Sequence, residues 1–192
     1  MLDVSEKGLA FVAVREACVL TAYQDTRHLA LGFGINDPSL KEGDTITLDE
    51  AITRYVKTAG EYSASINKIL LGLPIKQHQH DVLFSVTWNI GATRLADEDR
   101  LLRAIRAHSV EPTNPELRDW AAYELLHVRW DLVGHKPFNL ARRCAEAILY
   151  VRGDYGDLSK LKLWREGKNP RRDPVEEIPM PTFRKTEEVK HV

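Results

Sequence analysis

Arg15-Glu-Ala-Cys-Val-Leu-Thr-Ala-Tyr-Gln-Asp25-Thr-Arg-His-Leu-Ala-Leu-Gly-Phe-Gly34 is the stretch whose reading decides the fold. The apolar run Leu9-Ala-Phe-Val-Ala-Val14 leads into it and reads as a buried helix ending in Glu16. Asp25 follows in a segment whose turn formers and Gly32-Phe-Gly34 ending predict a small β-hairpin. A carboxyl at a helix end against apolar neighbours tends to stay protonated, because burial disfavours its charged form. A second carboxyl on a more open loop stays ionised.

Working outward, Ser5 with Glu6 starts the first helix, whose face of Leu9, Val12 and Ala13 is expected to bury. From Leu20 to Ile46 the chain breaks into short alternating pieces punctuated by Gly32, Gly34, Pro38 and Gly43, a small β-lobe at about residues 20–47. Thr47-Leu-Asp-Glu50 is a capping box, and the helix it opens repeats apolar residues from Leu48 through Tyr55 and Val56 to Ile66 and Ile69. Gly72-Leu-Pro74 breaks it. The next helix runs from about Lys76 to Trp88 with Gly91 as its C-terminal cap. Leu101 to His108 predicts a short helix, and Asn114-Pro115-Glu116 starts another that carries Trp120, Tyr123, Leu126, His127 and Trp130, read as core, with Gly134 as its end. Phe138 to Val151 predicts a last helix with Leu140, Cys144, Ile148 and Val151 on one face. Arg142 and Glu146 on it read as a solvated surface bridge, ahead of the sharper idea that Arg142 or Arg143 tunes Glu16.

The fold class is therefore α+β and mostly helical. Its 192 residues suffice for one sizeable domain or two small lobes. With 27 basic against 28 acidic residues, the charge balance argues against nucleic acid as the main partner. Cys18 and Cys144 make no disulfide framework and suit no metal site; they read as small buried side chains. His78 and His80 read as surface polar residues of their helix. No metal or cofactor is expected. No integral membrane segment is expected either, since the N-terminal apolar run is about half a span and has no basic leader.

After Tyr155 the composition shifts. Residues 160–172 hold six basic side chains and one acidic, with Trp164 among them, and Pro170, Pro174, Pro179 and Pro181 follow. This divides the chain into residues 1–155 and an extended or partly disordered extension, residues 156–192. The extension either attracts an anionic wall polymer or merely packs Trp164 on the domain.

Three motifs in order carry a resemblance. Glu16-x8-Asp25 with Gly32-x-Gly34, then Gln79-His-Asp-Val-Leu-Phe-Ser-Val-Thr-Trp-Asn-Ile-Gly91, then Leu140-Ala-Arg-Arg-Cys-Ala-Glu146, are similar to the phage-type lysozymes, the endolysin muramidases of glycoside hydrolase family 24. The resemblance implies a lysozyme-like two-lobed fold, with a small β-hairpin lobe and a helical lobe joined by a long helix. It implies a peptidoglycan-degrading muramidase that cleaves between N-acetylmuramic acid and N-acetylglucosamine. Two carboxyls of separated pKa suit that reaction, with Glu16 as general acid and Asp25 as the ionised partner. Asn89 matches the family position that faces substrate, although asparagine also ends helices for backbone reasons alone. Strict spacing puts Leu31, and alignment on the glycines Ala30, where the family has a threonine that places the attacking water. Thr26 or His28 are the possible substitutes for it. The lost hydroxyl keeps open a lytic transglycosylase on the same scaffold, or a non-catalytic glycan-binding or structural module. The family further implies bacterial peptidoglycan as partner, a monomer, and an export helper, either a holin or injection machinery. It implies residence in the host cytoplasm before action on the cell wall, or a place in the virion.

Overall fold

The computed structural model describes residues 1–25, 28–129, 137–165 and 175–183. Among them the elements are, in chain order, α1 (Glu6–Glu16), β1 (Cys18–Asp25), β2 (His28–Gly32), β3 (Ile35–Asn36), α2 (Leu48–Leu70), α3 (Gln77–Ile90), α4 (Ala92–Ala96), α5 (Asp99–Val110), α6 (Pro115–His127), α7 (Pro137–Arg152), β4 (Lys160–Trp164) and β5 (Glu176–Pro179). They fall into two compact units. One, Met1–Gly8 with Gly60–Gly156, is helical; the other, Leu9–Ala59 with Asp157–Val192, holds the sheet.

The helical unit is organised by Asp81, a fully buried carboxylate on α3. It accepts from the Ser5 backbone N–H at 3.0 Å, the Ser5 hydroxyl at 2.5 Å, the Gln77 amide at 3.0 Å and the Tyr155 hydroxyl at 2.6 Å. Ser5 in turn caps α1, its Oγ accepting from the Gly8 N–H at 3.0 Å. The carboxylate thus sits at the positive end of the α1 dipole, satisfied by donors on every side. Gly8 belongs in a helix here because a methyl at that position would lie 2.5 Å from Asp81 Cγ.

Two helix faces run opposite to the expectation from periodicity. On α7, Leu140 is 40% and Ile148 45% exposed, and Cys144 is exposed as well. The buried face carries Arg143, Glu146, Leu149 and Tyr150. Arg143 pairs with Glu146, Arg142 reaches the same carboxylate at 3.2 Å, and the Ser85 hydroxyl donates to it at 2.6 Å. The bridge is therefore a buried network, not a solvated pair; opposite charges held against each other let charge go inside, although Arg143 Nε has no hydrogen-bond partner among the described residues. On α6, Trp120 is 39% and Tyr123 53% exposed, and His127 stacks on Tyr123 at the surface. Ala121, Glu124 and Leu125 bury instead, Glu124 taking a hydrogen bond from Trp120 and an ion pair with Arg100. Trp130 and Gly134 lie outside the described residues. His80 is not a surface residue either: it is fully buried, and neither ring nitrogen has a hydrogen-bond partner among the described residues.

The start signals hold. Thr47 and Glu50 form a reciprocal capping box, and Asn114 caps α6 by accepting from Glu116 N at 3.0 Å, with Pro115 in the first turn.

In the other unit the strands lie in the order β3-β2-β1-β4-β5. The hairpin pairs Asp25 with His28 and Tyr23 with Ala30, and a bulge between Val19 and Tyr23 lets the bridge between Thr21 and Thr45 form. Phe33, Tyr55 and Phe183 pack ring to ring, and the buried Tyr55 hydroxyl donates to the Leu9 carbonyl at 2.7 Å. Phe183, β4 and β5 all come from the stretch expected to be an extended tail. It is instead structural: alternate residues Leu161 and Leu163 bury, so β4 reads as a half-buried strand. Lys160 on β4 pairs with Glu177 at 3.0 Å, and Arg165, just past the strand, with Glu176 at 2.8 Å. Those pairings leave less free positive charge for a wall polymer. Residues 166–174 and 184–192, with Pro170 and Pro174, lie outside the described residues.

A Gly8→Ala variant tests the packing at Asp81. Helix propensity alone favours alanine by about 1 kcal/mol, whereas overpacking costs about 1–3 kcal/mol. A lower thermal midpoint is expected; a higher one would overturn the account. Burial also holds the imidazoles of His80 and His108 below the ordinary histidine value. Below about pH 6.5 the unfolded chain binds protons that the folded one refuses, so stability falls as pH drops toward the folded values. The midpoint measured by circular dichroism should decrease from about pH 7 to about pH 5.5.

Candidate active site

Glu16 is the last residue of α1 and half-buried. The helix ends there because Ala17 turns into the left-handed region, φ 59°, while its N–H still bonds the Ala13 carbonyl at 2.9 Å. Arg15 covers the end of the helix, its guanidinium 3.5 Å from the Phe11 ring centroid and donating to the Phe11 carbonyl. The left-handed residue redirects the chain into β1, which runs to Asp25.

Tyr23 links the two acids. It stands two residues before Asp25 on β1, so the strand's alternation puts both on one face. Its phenol is held far above the ordinary tyrosine value, first by burial and then by the charges of Asp25 and Glu16. Gly34 closes the group: a methyl placed there would lie 3.5 Å from Glu16 Oε2 and 4.0 Å from the Tyr23 hydroxyl. With φ 81°, Gly34 also occupies a conformation that favours glycine. Tyr23 did not stand out in the sequence; its signal was the two-residue offset from Asp25.

Ala30 and Leu31, the positions that lack the hydroxyl, are both buried, and Ala30 lies opposite Tyr23 on one side and Asn36 on the other. Of the two candidate substitutes, His28 is exposed and stands across the ladder from Asp25. Thr26 lies outside the described residues. Asn89 belongs to the helical unit, near the end of α3, and its Oδ1 accepts from Arg143 Nη2. That bond ties Asn89 to the buried Arg143–Glu146 network and gives it a structural partner. Among the described residues no group of three His, Cys, Asp or Glu could hold a metal ion.

Cys18 is buried and free, with burial pushing its thiol up to about 12. Cys144 is exposed and also free, so no disulfide joins them.

Residues 13–129 match the family model for phage lysozyme. The chain belongs to the phage lysozyme family. It is 28% identical over 150 residues to an endolysin of Acyrthosiphon pisum secondary endosymbiont phage 1, covering 78% of this chain and 98% of that one. The endolysin of Salmonella phage P22 is 26% identical over 157 residues, covering 79% and 99%. Among solved structures, the endolysin from Escherichia coli O157:H7 phage FAHEc1 superposes with a TM-score of 0.67 at 25% identity, over 81% of this chain and 98% of that one. The muramidase domain of SpmX from Asticaccaulis excentricus, at 20% identity and a TM-score of 0.60 over 79% and 99%, shares the fold. The fold is thus the lysozyme-like α+β fold expected of the sequence. The protein is a lysozyme-type glycoside hydrolase that degrades peptidoglycan. Among the described residues no helix is long and apolar enough to cross a membrane.

The two cysteines give a simple check on the burial of β1. A thiol reagent near pH 8 should titrate Cys144 alone in the native phage lysozyme homologue and both thiols after denaturation. Rapid native reaction of both would contradict the packing around Cys18.

Proposed function

We propose that this lysozyme cleaves the bond between N-acetylmuramic acid and N-acetylglucosamine, with Glu16 protonating the bridging oxygen and Asp25 serving as the ionised partner. The supporting observation is that the half-buried Tyr23, on the same strand face as Asp25, and the Glu16 carboxyl both approach Gly34, where a Cβ would lie 4.0 Å from the Tyr23 hydroxyl and 3.5 Å from Glu16 Oε2. In the inverting route Asp25 activates a water on the far side of the sugar, which calls for carboxyls about 6.5–9.5 Å apart. His28, across the ladder from Asp25, stands in for the missing hydroxyl by helping to place that water. Asn89 offers its amide N–H2 to the glycan while its oxygen stays with Arg143.

A second reading, lytic transglycosylation, is favoured by one feature. Neither Ala30 nor Leu31 can hold a water by a side-chain hydroxyl, and the sugar's own hydroxyl then becomes the competing nucleophile. As for context, the protein acts as a monomer, resides in the host cytoplasm until a holin or injection machinery gives it access to the wall, and serves as an endolysin or a virion-borne lysin.

Purified peptidoglycan digested by the wild type and by Glu16→Gln decides between these readings. Loss of a positioned general acid should slow release by about 10²–10⁴-fold with the circular dichroism spectrum unchanged. Reducing ends in the wild-type digest support hydrolysis, and 1,6-anhydro-muramic ends support the transglycosylase. An equally active Glu16→Gln protein would remove Glu16 from the chemistry.

A further inference from the structure

We propose that Trp164, supplied by the C-terminal stretch, is a positioning residue of the catalytic machinery: it fixes Ala17 and Tyr23, and through them the Glu16 carboxyl. The inference rests on the reading of Glu16 as the acid. β4 lies parallel to β1 with Leu163 opposite Cys18 and Trp164 opposite Val19, so the contact falls immediately after Glu16 in the chain. Thr21 fastens the same edge by donating to the Arg165 carbonyl at 2.5 Å.

Trp164, Ala17 and Val19 form a small buried cluster, and Tyr23 packs against it. Ala17 needs such support. A non-glycine residue in the left-handed region is strained and persists only where its surroundings hold it there. That residue is also the hinge at which α1 stops, so its φ sets the direction in which β1, with Tyr23 and Asp25, leaves the helix end that carries Glu16. Tyr23 carries the constraint across the site, because its hydroxyl and the Glu16 carboxyl both approach Gly34, 4.0 and 3.5 Å from where a Cβ there would stand. The indole N–H of Trp164 has no hydrogen-bond partner among the described residues. The ring therefore acts by shape, and a phenyl ring can substitute for it.

Neighbouring residues separate this role from bulk stabilisation. Phe183 comes from the same stretch but packs on Phe33 and Tyr55, outside the Ala17–Trp164 cluster. Weakening its packing should lower stability without touching the surroundings of Glu16.

The test uses the full chain, with initial rates on purified peptidoglycan across pH and thermal unfolding for every variant. Trp164→Ala should lower kcat at least about tenfold, with KM within about twofold, and displace the limb of the pH profile that reports the acid. Trp164→Phe should recover the rate to within about threefold and restore the profile. Phe183→Leu should unfold at lower temperature yet keep the wild-type profile. Should Trp164→Ala not fold, Trp164→Leu, which keeps most of the volume without the ring, takes its place. A wild-type profile in the Trp164 variant, a Trp164→Phe protein as defective as the truncation, or an equal displacement in Phe183→Leu would overturn the proposal. An inert wild type, or a Glu16→Gln protein as active as wild type, would instead remove the catalytic reading beneath it.

Discussion

The Asp81 carboxylate is the constraint on which the helical unit depends. It is fully buried, and its four hydrogen-bond donors come from residues far apart in the chain, Ser5, Gln77 and Tyr155. An unpaired charge at such a depth is costly, so the carboxylate is tolerable only when the N-terminus of α1, the first turn of α3 and the residue after α7 converge on it. Convergence is thereby made nearly all-or-none. The same demand explains Gly8, which no helix-propensity argument favours: the backbone of α1 must approach the acid more closely than any Cβ permits.

Much of this was legible in the sequence, for identifiable reasons. Helix starts depend on short-range chemistry, and Thr47-x-x-Glu50 and Asn114-Pro115 state it within a few residues. The hairpin was legible because its ends are marked by glycines and its acid by spacing. What failed were judgements about which face of a helix goes inside. Hydrophobic periodicity assumes that charge prefers water, and α7 violates the assumption: Arg143 and Glu146 neutralise each other, with Ser85 and Asn89 completing the set. Partners from α3 cannot be inferred from the sequence of α7. On α6 the error is the complementary one, since Glu124 is buried through its bonds to Trp120 and Arg100 while the aromatic rings remain at the surface.

The C-terminal stretch was misread for a related reason. Its cations and prolines resemble the composition of a solvated tail, but composition does not see the alternation in Lys160-Leu-Lys-Leu-Trp164. A strand with one apolar face cannot stay in solution alone; it needs an unpaired strand edge, and β1 provides one. The bulge between Val19 and Tyr23 changes the hairpin's pairing, so the first residues of β1 have β2 on one side and β4 on the other. Cross-strand ion pairs then orient β5 on the outer side of β4. The sheet is thereby extended by residues that a division at Tyr155 would have set aside.

If Glu16 and Asp25 are the acids, as proposed, the hairpin also bears on how a site works without a hydroxyl at Ala30 or Leu31. Ala30 and Leu31 are buried, so a hydroxyl at either place would need its own partner or pay for desolvation. On the neighbouring strand, Tyr23 stands opposite Ala30 and shares a face with Asp25, its hydroxyl approaching Gly34 as the Glu16 carboxyl does. Burial above all holds that phenol far above the ordinary tyrosine value, so it remains a protonated hydrogen-bond donor throughout the range in which a carboxyl acid could work. The strand that carries Asp25 thus also carries a phenol on the same face, packed against Ala17 and Val19.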